Sequence, residues 1–388
     1  MNSSRARSIA VLGATGSIGR STLDVVQASR GRLKIAGLTA NSRLEQLCAQ
    51  AASVGPRWVV ATDPGASAAF DWSGLPRGVE LLVGQAGIER LVTHPEVDVV
   101  VAAIVGSIGL RGTWAALEAG KTVALANKET LVMAGPLVMR LAADRQTRVL
   151  PVDSEHSAVF QALQAGRRQD VRRIILTASG GPFRGYSREQ MAGVTVEQAL
   201  AHPTWDMGRK ITVDSATMMN KALEIVEARW LFDLSAEQIE VVVHPQSIVH
   251  SMVEFNDGSV MAQLSPPDMR LPIQYALSYP DRWSGPTPRL DIHTKWNLEF
   301  EPPDHERFPA LALGYEVARS GGTAGAVLNA ANEAAVARFL NGQLAFADIV
   351  PACRSVLQNH SFDLSPRLEQ LIELDAWARR EVARWSCT

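Results

Sequence analysis

An apolar run, Ile9–Leu12, breaks into Gly13-Ala14-Thr15-Gly16-Ser17-Ile18-Gly19 and then into a helical pattern. Glycines at this spacing permit a tight turn at a strand end. They let the backbone approach a pyrophosphate, which then meets the free N–H groups and dipole of the helix that follows. A glycine triplet alone is a weak signal, because a ligand-free turn has the same composition. Here the context is strand, turn and helix, and more such alternation follows. Strand candidates are Ser8–Leu12, Leu33–Leu38, Trp58–Ala61, Val97–Ile104, Thr122–Ala126 and Arg148–Val152. Amphipathic stretches (Ser21–Ala28, Arg43–Ala52, Arg111–Ala119 and Leu131–Ala143) lie between several of them. This order predicts an α/β, Rossmann-type N-terminal domain over residues 1–150, its parallel strands covered on both faces.

A chain of 388 residues exceeds one ordinary core, so further domains are expected. Beyond residue 150 the texture changes. Strand patterns Arg173–Thr177, Glu240–Val243, Ile248–Phe255 and Val260–Leu264 surround one long helical pattern, Ala216–Leu231. The turn Asn256-Asp257-Gly258-Ser259 signals a hairpin, which predicts an α+β catalytic domain over 151–280. A Pro-, Asp- and Trp-rich connecting segment over 281–308 leads to an alanine-rich C-terminal helical bundle over 309–388.

Composition excludes several classes. A formal net charge of -2 gives no global attraction to nucleic acid or anionic lipid, so neither is expected as a partner. The most apolar stretch, Val97–Leu110, is too short for a membrane span and contains Asp98. Arg5 and Arg7 before Ile9–Leu12 imitate a signal peptide, but a first strand is the better reading. Cys48, Cys353 and Cys387 are scattered and show no paired spacing, which suits a reducing, cytoplasmic setting.

An acid at the end of the second strand would favour NAD. The stretch Ala40-Asn41-Ser42-Arg43 has none and offers an arginine, so NADP is expected. The loop Leu125-Ala126-Asn127-Lys128-Glu129 follows the fifth predicted strand, at the ligand-binding edge of such a sheet. Lys128 there fits a ligand contact and a surface lysine equally.

Asp153 and Glu155 are two apart after an apolar run. In an extended segment both carboxylates project from one face, an arrangement that suits magnesium or manganese. A plain acidic turn has the same pattern. Asp214-Ser215 reads as the N-cap of the long helix, with Asn220 and Glu224 four apart on one face and Lys221 beside them. Glu227 and Arg229 read as its exposed polar face. Ser179-Gly180-Gly181 suits an anion nest, and Trp205 and Met207 in a Pro- and Gly-bounded loop suit a hydrophobic lid.

Several of these blocks, in this order, resemble the 1-deoxy-D-xylulose 5-phosphate reductoisomerase family almost end to end. The resemblance rests on Gly13–Gly19, Ala126–Glu129, Pro151–Ser157, Ser179–Arg184, His202–Met207, Asp214–Glu224, His244–His250 and Leu328–Glu333. It implies a homodimeric, NADPH-dependent reductoisomerase of isoprenoid biosynthesis with a divalent cation (magnesium, manganese or cobalt). The substrate would be a small phosphorylated sugar, cleaved, reclosed as a branched aldehyde and reduced. Asp153, Glu155 and Glu224 would be the metal ligands. Ser179, Ser215, Asn220 and Lys221 would form the phosphate pocket, with His202 near it. Lys128 and Ser154 would hold the sugar hydroxyls, and Trp205 and Met207 would belong to the flap. Thr15, Gly16, Ser17 and Ile18 would take the pyrophosphate, and Asn41, Ser42 and Arg43 the 2′-phosphate. Asn127, Lys128, Glu129 and Gly208 are expected beside the cofactor. His156, His250 and Met269 would lie in or beside the site. A semialdehyde dehydrogenase, the nearest rival, needs a cysteine nucleophile, and no cysteine here is placed for one. A non-catalytic NADP sensor would have no use for the acidic cluster.

Overall fold

The computed structural model describes residues 5–205 and 207–386. The chain forms two compact units. One contains the chain up to Asn127, Val138–Ser157 and Asp268–Pro288, and the other Lys128–Leu137, Ala158–Pro267 and the chain from Arg289 on.

The first unit is built on seven strands: β1 (Arg7–Leu12), β2 (Leu33–Ala40), β3 (Trp58–Ala61), β4 (Glu80–Val83), β5 (Val99–Ala102), β6 (Thr122–Leu125) and β7 (Val149–Pro151). They pair in parallel in the order β4-β3-β2-β1-β5-β6-β7. Central strands such as β1 and β5 are buried on both faces, which is why they read as continuous apolar runs. The strand order reverses between β1 and β5, so the crevice at their C-terminal ends is the place where such sheets take ligands. β4 escapes the sequence reading because it is a short, half-buried edge strand. Its presence makes the Asn127–Glu129 loop follow the sixth strand, not the fifth. The helix Arg270–Ser278 returns to pack on the helix Ser17–Ala28, and the Arg7 guanidinium donates to the Leu277 and Tyr279 carbonyls.

The second unit holds a mixed sheet ordered β11-β10-β8-β9, with β8 (Val171–Ala178), β9 (Ile239–Val243), β10 (Val249–Phe255) and β11 (Val260–Leu264). β8 and β9 are parallel, and β10 is antiparallel to both its neighbours. The expected hairpin joins β10 to β11, with Gly258 at φ 87 in its turn. Helices Met219–Leu231, Ala310–Ser320, Ala324–Leu340, Ile349–Asn359 and Leu368–Arg384 share one apolar core with this sheet. Gly314 lets two of them touch: a Cβ there would stand 2.6 Å from the Ala222 Cα.

Two local expectations are corrected. The helix expected over Ala216–Leu231 begins at Met219, and Ala216 instead ends a separate helix, Arg209–Ala216, set off from it by Met218 at φ 62. Asp214 and Ser215 therefore close the first helix and do not cap the second. The strand β7 ends at Pro151, and the helix Ser154–Ala162 begins almost at once. Asp153 and Glu155 thus flank a helix start and do not alternate along an extended segment. Asp153 takes the capping place, its carbonyl accepting the Ser157 N–H at 2.8 Å.

Candidate active site

In the first unit, the turn after β1 has the geometry its glycines require. Gly13 sits at φ 85, and a Cβ there would meet the Ala103 carbonyl oxygen at 2.7 Å. A Cβ on Gly19 would meet the Ala14 carbonyl oxygen at 2.3 Å. Thr15 is buried, Gly16 takes the N-cap position and Ser17 and Ile18 open the helix Ser17–Ala28. No side chain caps that helix, so its first N–H groups face outward, available to an anion. Asn41, Ser42 and Arg43 follow β2 and are exposed, with Asn41 Oδ1 accepting from Thr62 Oγ1 at 2.9 Å. Asn127 is buried and donates through Nδ2 to the carbonyls of Ile104 (2.6 Å) and Gly106 (3.0 Å), which ties the loop after β5 to the end of β6. Ser154 Oγ donates to Glu155 Oε2 at 2.5 Å, so the acidic helix start is already ordered by its own side chains. His156 is buried beside them in sequence, and Met269 precedes the helix Arg270–Ser278.

The second unit gathers the other half of the expected residues. Glu224 is wholly buried. Its carboxylate accepts from Asn220 Nδ2 at 2.5 Å, stands 3.3 Å from Lys128 Nζ and is paired with Lys221. Lys128 Nζ also donates to Asn220 Oδ1 at 2.5 Å. Lys128 and Lys221 are both nearly excluded from solvent, so neither is a surface lysine. Glu227 is buried as well, against the expectation of an exposed face, and Arg229 is half-buried with its guanidinium on the Ala318 and Leu234 carbonyls. A helix packed against the sheet on one side and Ala310–Ser320 on the other has little open face left for them.

After β8, Gly180 (φ 83) and Gly181 (φ 67) turn the chain sharply. A Cβ on Gly181 would meet the Ser215 carbonyl oxygen at 2.6 Å, so the glycine permits the close approach of this turn to Ser215. Ser179 Oγ is 3.1 Å from His202 Nε2. His202 Nδ1 accepts two backbone N–H groups, from Thr204 (3.1 Å) and Trp205 (2.9 Å). An Nδ1 that accepts places the ring proton on Nε2, which then donates toward Ser179. Burial holds the imidazole below its ordinary pKa and so favours the neutral ring. Trp205 and Met207 are half-buried, and the Trp205 ring lies 6.4 Å from that of buried His250. Gly208 caps the helix Arg209–Ala216, and its carbonyl accepts from Thr212 Oγ1 at 2.9 Å.

One group in this unit went unread from sequence. Lys210 Nζ pairs with Glu129 (2.9 Å) and Asp214 (2.8 Å), and Asp214 also accepts from Asn332 Nδ2 at 2.8 Å. The Lys210–Asp214 spacing was the available signal, but Glu129 is far away in sequence.

Comparisons with known proteins give one family. Three family profiles match: "1-deoxy-D-xylulose 5-phosphate reductoisomerase" over residues 9–135, its C-terminal domain over 149–232, and "DXP reductoisomerase C-terminal domain" over 264–381. A relative of that name from Heliobacterium modesticaldum is 54% identical over 376 residues, covering 96% of this chain and 95% of its own. One from Rhodopirellula baltica is 50% identical over 432 residues, covering 97% and 95%. A solved reductoisomerase from Zymomonas mobilis in complex with NADPH superposes with a TM-score of 0.90 at 44% identity, over 98% of each chain. A second solved structure, holding NADPH, fosmidomycin and magnesium, gives a TM-score of 0.90 at 41% identity, over 97% of this chain and 98% of that one.

Proposed function

The chain belongs to the 1-deoxy-D-xylulose 5-phosphate reductoisomerase family, and from that premise we propose which of its residues carry the reaction. It is an NADPH-dependent oxidoreductase that rearranges and reduces 1-deoxy-D-xylulose 5-phosphate to 2-C-methyl-D-erythritol 4-phosphate, with a divalent cation, in isoprenoid precursor synthesis. The observation that supports the assignment of residues best is the buried knot of Lys128, Asn220 and Lys221 on Glu224. Two ammonium groups and a carboxylate buried together are costly to fold and common where a charged ligand is handled.

Asp153, Glu155 and Glu224 would hold the cation through carboxylate oxygens, the hard donors that magnesium, manganese and cobalt accept. When bound, the cation supplies a Lewis acid for the substrate ketone and neighbouring hydroxyl, and NADPH supplies the hydride. Lys128 and Ser154 orient the sugar hydroxyls. Ser179, Ser215, Asn220 and Lys221 bind the phosphate, with the backbone N–H groups of Gly180 and Gly181 beside them. The neutral His202, with its proton on Nε2, donates to the same anion. Trp205 and Met207 close over the sugar and exclude water, so phosphate binding remote from the reacting carbons serves the chemistry.

The glycine cradle and the uncapped helix suit a pyrophosphate at Thr15, Gly16, Ser17 and Ile18. The exposed Asn41, Ser42 and Arg43 take the 2′-phosphate, and Asn127, Lys128, Glu129 and Gly208 complete the cofactor contacts. By function, residues 1–150 bind NADP, 151–280 carry catalysis and dimerisation, 281–308 connect and 309–388 form the helical domain. The edge strand β11 leaves Val260 and Met261 exposed, and Trp296, Leu298 and Phe300 of the same unit are exposed too. That apolar surface supports a homodimer. Among the described residues no helix is long and apolar enough to cross a membrane, and we place the reaction in the cytoplasm.

The test is NADPH consumption on adding 1-deoxy-D-xylulose 5-phosphate with manganese or magnesium, and then with chelator. Chelator-sensitive oxidation is expected. A folded, NADPH-binding protein that oxidises no cofactor would refute the reading.

A further inference from the structure

A turn that presents N–H groups to a pyrophosphate must point its carbonyls elsewhere, because a carbonyl oxygen repels an anion. In Gly13-Ala14-Thr15 each carbonyl accepts from a donor within the protein. The Gly13 carbonyl takes the Gly16 N–H at 3.1 Å, and the Thr15 carbonyl takes Arg20 Nη1 at 3.1 Å. Both of those donors are local in sequence. The Ala14 carbonyl is served from a distance: Gln50 Nε2, on the helix Leu44–Val54, donates to it at 3.0 Å. The same carbonyl abuts Gly19, where a Cβ would stand 2.3 Å from its oxygen. Thr39 of β2 holds the start of the turn, taking the Gly13 N–H on Oγ1 (2.9 Å) and the Ala14 N–H on its carbonyl (2.8 Å).

Stability explains Gln50 poorly. The buried residues of its helix are Leu44, Leu47, Cys48 and Ala51, and an apolar side chain at residue 50 would extend that stripe. Gln50 instead brings an amide whose Oε1 is buried and meets no donor among the described residues, an arrangement that costs stability. What the amide does accomplish is the orientation of a peptide. The Ala14–Thr15 bond is trans, so its C=O and N–H point in opposite directions. With the Ala14 oxygen held by Gln50, the Thr15 N–H is turned to the other face of the turn, away from Gln50.

We propose that Gln50 is a positioning residue for the cofactor: by holding the Ala14 carbonyl it aims the Thr15 N–H at the pyrophosphate. This rests on the pyrophosphate site given under Proposed function, so Gly13→Ala is titrated alongside. The experiment measures, on the full chain, the Kd of NADPH by fluorescence and that of 2′-AMP, which carries no pyrophosphate, by calorimetry, with a thermal melt of every variant. Gln50→Met, similar in size but without a donor, is expected to raise the NADPH Kd about fivefold or more and to leave the 2′-AMP Kd within about twofold of wild type. Gln50→Glu, whose ionised carboxylate only accepts, is expected to lose at least as much NADPH affinity. A smaller rise in the NADPH Kd of a folded Gln50→Met protein, with Gly13→Ala weakening NADPH, overturns this proposal alone. If Gly13→Ala also leaves NADPH affinity unchanged, the pyrophosphate site falls and the proposal with it. An equal loss for 2′-AMP overturns the proposal too: the helix of Gln50 follows directly on Asn41–Arg43, so a general loosening of that helix would weaken both ligands. If Gln50→Met does not fold, Gln50→Glu decides on the same two affinities.

Discussion

Glu224→Gln changes one atom in the knot at the centre of the second unit. The wild-type carboxylate faces two ammonium groups with no water to screen them. At 3.3 Å the attraction to Lys128 alone is about 5 kcal/mol for an effective dielectric constant of about 20, before desolvation is subtracted. A glutamine keeps the shape and one acceptor, but it points an N–H at a cation that previously met an oxyanion. Breaking a buried pair in this way costs about 3 kcal/mol, the low end of such cases. That corresponds to a loss of roughly 6–12 °C in Tm for a domain of this size. The catalytic loss is larger, because the same carboxylate is a proposed cation ligand: kcat/KM should fall by roughly 100-fold or more, the scale of losing one preorganised electrostatic contact. The assay pairs NADPH oxidation with calorimetric titration of manganese and a thermal melt, so that activity, ligation and folding are read separately. A folded Glu224→Gln enzyme with unchanged manganese affinity and kcat/KM within threefold of wild type would refute the reasoning.

Gly13→Ala puts a Cβ at φ 85 and 2.7 Å from a carbonyl oxygen, a strain of roughly 1–3 kcal/mol; NADPH affinity by fluorescence titration should fall about tenfold, with a lower Tm. For Glu129, burial raises the pKa but Lys210 outweighs it, and the folded value lies below the ordinary one. Its stabilisation is therefore present above about pH 4.5 and lost as the pH falls through the folded value, so Glu129→Gln should flatten the acid limb of a Tm–pH curve. Cys48 and Cys353 are buried, and burial pushes both thiols up, so in a Cys387→Ser enzyme (Cys387 lies outside the described residues) alkylation near neutral pH should leave turnover unchanged.

The parts of this fold that were legible in the sequence are those whose cause is local. Gly13 and Gly19 must be glycine because a backbone carbonyl oxygen lies 2.7 Å and 2.3 Å from where Cβ would be, closer than non-bonded atoms can stand, and their spacing announces it. The central strands announce themselves by double-sided burial, as the half-buried β4 does not. Charge balance is not local. Lys128 and Lys221 carry side chains that composition assigns to solvent, and they are buried because Glu224 pairs with both, with Lys128 across a long stretch of chain and with Lys221 from the same helix. Glu129 and Lys210 meet only in the folded chain.

The helix start at Met218, expected at Asp214-Ser215, is a different kind of difference. A non-glycine residue in the left-handed region costs roughly 1–2 kcal/mol, so a run without glycine or proline reads as one helix. Met218 is only 3% exposed, and burying a methionine side chain returns about 1.5–3 kcal/mol. Packing thus outweighs the backbone penalty, and the chain turns where no residue type signals a turn. The turn has a consequence for the site. It ends one helix at Ala216, with Ser215 in its last turn beside the Gly180-Gly181 turn, and starts another that carries Asn220, Lys221 and Glu224 to Lys128. A continuous helix through Met218 would hold Ser215 and Asn220 on one axis at a fixed rise. Two helices let the serine and the charged knot be oriented independently.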